Sequence, residues 1–315
     1  MRALINRVLS GDRQAIARMI SSVENGDHEV QDAMAELYTH TGKANIIGVT
    51  GPAGVGKSQL ISSITRELRR RGRTVGVIAV DPNSPFTGGA ILGDRVRMRE
   101  HFGDKDVFIR SLGTRGSLGG LSAATRETIR ILDASGKSTI LVETAGAGQS
   151  DVNVMNHVNT VLVVVMPGLG DEIQALKAGI LEIGNIFVVN KADVGDSDTT
   201  VKILEDMLEP QTKTDWNPPI IKTKATTGEG IPNLLDQMDK HSVHFRAAYK
   251  IIEKERERCR EEVLSIVSSK VAEKAAEALL DSRYSKLIDK AAVRDTSPVI
   301  IAEKLLRSIL QKDRK

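Results

Sequence analysis

Cysteine occurs once in the chain, at Cys259, so an intrachain disulfide and a cysteine-built zinc site are both excluded. Aromatic residues amount to 3%, with Trp216 the sole tryptophan, too few rings for the stacking platforms that hold single-stranded nucleic acid or sugars. An excess of one charge is missing as well: 44 Lys and Arg face 41 Asp and Glu, a net of +3, which gives no broad field for a nucleic-acid backbone. The histidines are scattered, and His241 and His244 precede a charged helical stretch, which reads as solvated surface rather than a ligand set. The longest apolar run, Val161 to Met166, is far below a membrane span, and the opening MRALINRVLSGDRQ lacks the apolar core of a signal peptide. The expectation is a cytoplasmic, soluble protein with neither a membrane nor a nucleic acid as partner.

Apolar residues make up 40% of the 315 positions, enough to build an ordinary globular core. Residues 1–42 place Leu4 and Val8, then Ile16, Met19, Ile20 and Val23, then Val30, Met34 and Leu37 at helical spacing, broken by Gly11-Asp12 and by Asn25-Gly26-Asp27. From residue 43 to 240 the pattern becomes short β-branched runs separated by helical stretches: Asn45 to Val49, Thr74 to Val80, Thr139 to Val142, Val161 to Val165, Ile186 to Val189 and Ile220 to Thr223. Helical crossovers between such runs imply a mostly parallel α/β sheet covered on both faces, with ligands at the carboxyl ends of its strands. Residues 241–315 read as strand-free. A long, narrow helical stripe from Phe245 to Val271, flanked by EKERERCREE and interrupted by Arg256, fits either a self-association arm or a helix packed on its own domain.

The first run ends in GPAGVGKS, residues 51 to 58, followed by an amphipathic helix. Strand, glycine-rich loop and helix in that order form a phosphate loop. Its backbone N–H groups and the helix N-terminus turn toward one anion, Lys57 reaches the β and γ phosphates, and Ser58 offers a magnesium ligand. Nucleotide contacts are expected along Gly51, Ala53, Gly54, Val55, Gly56, Lys57, Ser58 and Gln59. The run Ile186 to Val189 ends in NKAD, residues 190 to 193, at the same carboxyl edge. A carboxylate at Asp193 accepts from guanine N1–H and the 2-amino group, a donor pair that adenine lacks; Asn190 ties this loop to the phosphate loop, and the Lys191 stem covers the base.

Asp81 and Glu143 close two strands, and Asp94 lies in FTGGAILGDR. These carboxylates can face magnesium and the γ phosphate: Asp81 and Asp94 as metal ligands, Glu143 in metal or water positioning. With Lys57, Asp81 and Glu143 form the expected catalytic set. TRGSLGG from Thr114 and ETAGAGQSD from Glu143 supply flexible backbone, with Gly146, Gly148 and Gln149 as candidate switch residues.

Together with GDRQAIARMISSVEN, VDPNSPFTGGAILGDRVRM, TRGSLGGLSAAT and PGLGDEIQALKAGILEI, these motifs resemble the MeaB/ArgK family of GTPases, which includes the methylmalonic aciduria type A proteins. The resemblance implies a P-loop NTPase sheet of the signal-recognition/MinD-like class with N- and C-terminal helical extensions, binding GTP or GDP and Mg2+. It implies a G-protein chaperone that gates cofactor loading and protection of an adenosylcobalamin-dependent acyl-CoA mutase, chiefly methylmalonyl-CoA mutase. It also implies a homodimer built through the C-terminal arm and a switch from Met166 to Lys177, with Asp171 and Lys177 coupling nucleotide state to the partner. The chain departs from the family where ETVGVGQ reads ETAGAGQ, where SLG precedes TRG, and where TKATTGEG carries Lys224 in a serine position, leaving the Ala225 N–H for guanine O6. A nickel-type metallochaperone GTPase is the alternative reading, and it needs a Cys or His cluster that the sequence lacks. A transport-linked kinase is another, and it needs an acceptor pocket that the motifs do not declare.

Overall fold

In the strand Thr160–Val165 the side chains of Val161, Val163 and Val165 enter one core, while Leu162 and Val164 enter the other. This two-sided burial is what a parallel sheet sandwiched between helices demands. The computed structural model describes residues 1–27, 29–81, 98–113, 120–144, 154–168, 180–208, 215–247 and 250–312. Its strands are β1 (Asn45–Thr50), β2 (Val75–Asp81), β3 (Val107–Gly113), β4 (Thr139–Thr144), β5 (Thr160–Val165), β6 (Ile186–Val189) and β7 (Ile220–Lys222). All pair in parallel, in the order β3-β2-β4-β1-β5-β6-β7.

The chain leaves β1 toward β2 on one side and later returns to place β5 on the other. The loop after β1 therefore opens where the winding reverses, the place at which such sheets hold ligands.

One face of the sheet is covered by α1 (Arg2–Leu9), α2 (Arg13–Asn25), α3 (Val30–Tyr38) and α5 (Gly120–Ala134). The other is covered by α4 (Lys57–Arg70), which presents the fully buried Leu60, Ile61, Ile64 and Leu68, and by α8 (Ile231–Ala247). Burial of each such side chain contributes about 1.5–3 kcal/mol before ordering costs. Two further helices, α6 (Ile180–Ile183) and α7 (Ser197–Leu208), belong to this part of the chain.

The β3 strand is an addition to the runs visible in the sequence. Its segment, VFIRSLG, carries Arg110 at mid-strand, and the position at the sheet edge accommodates that charge through an ion pair with Glu24 on α2.

The first helices are tied to the sheet rather than appended to it. Asp12 caps α2 by accepting from Ala15 N at 2.9 Å, and Gly26 ends it in a left-handed conformation. The Arg13 guanidinium then donates to the carbonyls of Asp104 and Val107, each at 2.8 Å. Asp133 on α5 fixes the approach to β1, its carboxylate accepting from the N–H groups of Gly42, Lys43 and Ala44.

Packing divides the chain into Met1–Ala247 and Ala248–Lys315, so the break falls after Ala247 rather than after Lys240. The reason lies in α8, where His241 is 4% exposed, sits 2.8 Å from Thr160 Oγ1 and meets the Trp216 ring edge-on. His241 is thus a core residue and not the solvated one its sequence neighbourhood suggests. The second unit comprises α9 (Lys250–Leu279), α10 (Ser282–Ala292) and α11 (Pro298–Lys312) around Tyr284, Ile301, Leu305 and Ile309. Among the described residues no helix is long and apolar enough to cross a membrane.

Candidate functional site

The loop between β1 and α4 is shaped by approaches too close for side chains. At Gly51, with φ of +144°, a Cβ would lie 2.1 Å from the carbonyl oxygen of Val164 on β5. At Gly56, with φ of +93°, it would lie 2.7 Å from Asn190 Nδ2. Glycine is required at both on steric grounds, which explains the motif's spacing without reference to phosphate.

The loop then delivers Lys57 and Ser58 as the first residues of α4, with Gln59 beside them and Ala53 and Gly54 at the exposed rim. A helix N-terminus with unpaired N–H groups and positive dipole attracts anions. Arg69 and Arg70 occupy its opposite end, where cations are favoured.

Lys57 is 6% exposed, and its ammonium donates to Gly51 O at 2.8 Å and Pro52 O at 2.9 Å, so the charge is held over the loop. Ser58, 5% exposed, donates from Oγ to Glu143 Oε1 at 2.6 Å. The sheet register makes this contact possible. Glu143 pairs with Val49 across β4 and β1, which puts its carboxylate beside the strand that feeds the loop. Next to it Thr144 Oγ1 donates to Thr50 Oγ1 at 3.2 Å, a hydroxyl contact at the same edge that the motif reading does not anticipate.

The β6 strand ends beside this loop because Val189 pairs with Val165 on β5. Asn190, 1% exposed, donates from Nδ2 to Val55 O at 2.9 Å and accepts at Oδ1 from Thr223 Oγ1 at 3.1 Å and Ala225 N at 3.2 Å. One side chain thereby joins three loops. Lys191 adopts a left-handed backbone, φ of +53°, and its ammonium reaches Gly54 O at 2.8 Å. Ala225 is buried, its N–H directed to Asn190 and its carbonyl bonded by Ser63 Oγ on α4. The Ser63 contact has no signature in the sequence, since any small polar residue on that helix face would read as helix surface. Asp193 lies exposed at the loop's rim.

Asp81 is the last residue of β2, its backbone paired with Gly113, while its side chain lies outside the described residues. Asp94, Gly146, Gly148, Gln149, Asp171 and Lys177 also lie outside them. Among the described residues no group of three or more His, Cys, Asp or Glu could hold a metal ion. The loop after β1, Glu143 and the loop after β6 are thus together at the carboxyl edge of the sheet, in an arrangement that can cradle a nucleoside triphosphate.

The family model described as methylmalonyl Co-A mutase-associated GTPase MeaB matches residues 16–279. A protein of Pyrococcus horikoshii named as a GTPase is 46% identical over 311 residues, covering 98% of each chain. The mitochondrial methylmalonic aciduria type A homolog of Mus musculus is 36% identical over 199 residues, 61% of this chain and 48% of its own. A solved structure described as an LAO/AO transport system kinase superposes with a TM-score of 0.69 at 25% identity, covering 98% of this chain and 97% of that one. The chain belongs to the MeaB family of GTPases, a P-loop protein whose reaction is hydrolysis of GTP.

Proposed function

We propose that this GTPase is a chaperone for an adenosylcobalamin-dependent acyl-CoA mutase, with methylmalonyl-CoA mutase as the partner, and that it gates cofactor loading and protects the enzyme in the cytoplasm. The observation that carries the reading is the match to a mutase-associated GTPase family across residues 16–279, from α2 through the nucleotide edge to the end of α9. The likeness to a methylmalonic aciduria type A homolog points the same way.

In this reading Lys57 and the N–H groups from Gly51 through Ser58, with Gln59, hold the phosphates, and Asp193 accepts from the guanine edge. Asn190 and Lys191 keep the base loop against the phosphate loop, as their bonds to Val55 and Gly54 support. For the Ala225 N–H to reach guanine O6 it must be shared with Asn190 Oδ1, a contact long enough at 3.2 Å to allow it.

Ser58 and Glu143 bring buried oxygens within 2.6 Å of each other, donors of the hard type that suits Mg2+ and not a soft metal. Ser58, Asp81, Asp94 and Glu143 would hold that ion, which when bound neutralises charge developing on the β and γ oxygens. Glu143 also orients the attacking water, and Lys57 stabilises charge on the transferred phosphoryl. Gly146, Gly148, Gln149, Asp171 and Lys177 form the switch segments that carry nucleotide state to the mutase. A homodimer through the C-terminal helical arm is supported by the apolar surface of α9, where Ile252 is 63% exposed and Leu264 61%.

The test is GTP turnover by the purified protein with magnesium, alone and with the methylmalonyl-CoA mutase of the same organism, using Lys57→Ala as control. Saturable stimulation by the mutase supports the chaperone reading. Unchanged turnover beside measurable basal hydrolysis removes this mutase as partner.

A further inference from the structure

The turn that follows β7 places a second pair of charges beside the base-reading carboxylate. Lys224 N donates to Glu229 O at 3.0 Å, and Gly228 N returns to Lys224 O at 2.9 Å, so residues 224–229 close on themselves. Across this closure Lys224 Nζ lies 2.7 Å from Glu229 Oε2.

The same turn is stitched to the loop that carries Asp193. Thr223 O accepts from Ala192 N at 3.1 Å, and Asn190 Oδ1 bonds both Thr223 and Ala225. The residues that follow each joined position, Asp193 and Lys224, are therefore neighbours. The ammonium of Lys224 is held more firmly protonated than an ordinary lysine, first by its hydrogen bond and attraction to Glu229 and further by the field of Asp193.

An ion pair this exposed, with the Glu229 side chain 66% accessible, adds little to folding. Its consequence is where it directs the lysine. Freed from Glu229, a flexible ammonium beside Asp193 would pair with that carboxylate and occupy the lone pairs that guanine needs. We propose that Glu229 is a positioning residue for guanine recognition: by holding Lys224 in the 224–229 turn it keeps the ammonium off Asp193. The proposal rests on the reading of Asp193 as the group that accepts from guanine.

The experiment is calorimetric titration of the full chain with GDP at several ionic strengths. Glu229→Gln is expected to weaken GDP binding about three- to five-fold at low salt, with the loss shrinking as salt screens the competing pair. Adding Lys224→Met to Glu229→Gln is expected to restore the affinity to that of Lys224→Met alone, which a merely structural loss at Glu229 would not do. In an Asp193→Asn background titrated with xanthosine diphosphate, Glu229→Gln is expected to have no effect. An unchanged GDP affinity for Glu229→Gln, or a double variant as weak as Glu229→Gln alone, overturns the proposal while the base reading stands. An Asp193→Asn protein that keeps its preference for guanine overturns the base reading itself, and the proposal with it.

Discussion

Ser58 Oγ donates to Glu143 Oε1 at 2.6 Å, joining the first turn of α4 to the end of β4 across the strand that feeds the phosphate loop. Both groups are almost fully buried, so the sheet and helix fix their separation before any nucleotide arrives. Preorganised groups of this kind act without reorganisation when charge develops.

Replacing Glu143 by Gln keeps the side chain's size and one acceptor but removes its charge. Single-turnover hydrolysis of GTP is expected to slow about 100-fold, on the scale of losing one preorganised electrostatic group. GDP affinity, measured in parallel, is expected to change far less. Unchanged hydrolysis would remove Glu143 from the site.

Lys57 carries its charge on two carbonyls of the loop, Gly51 and Pro52. Lys57→Ala is expected to weaken GTP binding at least about tenfold, through loss of a charge-assisted contact to phosphate. Titration with a fluorescent GTP analogue measures this, and an unaltered affinity would place the phosphates elsewhere.

Gly56 and Gly54 offer a comparison within one loop. A methyl group at Gly56 meets Asn190 Nδ2 at 2.7 Å, whereas one at Gly54 meets nothing within 4 Å, although both residues have positive φ. Gly56→Ala is expected to cost about 1–3 kcal/mol from backbone strain alone, and to disturb the Asn190 bonds besides. Gly54→Ala bears the strain without the clash. Thermal unfolding is expected to show the larger fall for Gly56→Ala, at about 2–4 °C per kcal/mol for a unit of this size. Equal falls would mean that the approach to Asn190 is not restrictive.

Glu67, near the end of α4, has its carboxyl pulled down from 4.5 to about 2, foremost by the hydrogen bond from Arg70 and further by Arg71. A carboxylate depressed on folding contributes stability that is complete above its unfolded value and lost as pH falls through the folded one. Stability from this group is therefore expected to hold above pH 4.5 and to decline toward pH 2. Asp104 and Glu100 are lowered in the same direction, foremost by Arg69 and Arg66 respectively. Glu67→Gln is expected to flatten part of the acid decline in a series of melting curves, and an identical decline would discount the Arg70 contact.

How far the sequence anticipates this arrangement depends on whether a residue's neighbours lie along the chain or across it. Runs such as Val161 to Val165 announce themselves because both faces of a central strand are buried. The β3 strand does not, since Arg110 interrupts its apolar pattern and finds its partner, Glu24, in a helix far earlier in the chain. His241 reads as polar surface because nothing local reveals Thr160 or Trp216. In the site, Lys57 is legible because it bonds to carbonyls of its own loop, and the glycines are legible as part of that loop's motif although the groups that exclude side chains there, Val164 and Asn190, lie far along the chain. The Ser63 bond to Ala225 arises from elements that meet only in the folded sheet, whereas the Lys224 pair with Glu229 is local to one turn and takes its meaning from the neighbouring loop that carries Asp193.

The most direct test of the account exchanges the base. Wild type and Asp193→Asn are compared for magnesium-dependent hydrolysis of GTP and of xanthosine triphosphate, with Lys57→Ala as the control for turnover at this loop. The account predicts that Asp193→Asn loses GTP hydrolysis and gains hydrolysis of the xanthine nucleotide, because an amide donor now meets the acceptor at the base's 2-position. Retained preference for GTP in Asp193→Asn would contradict it.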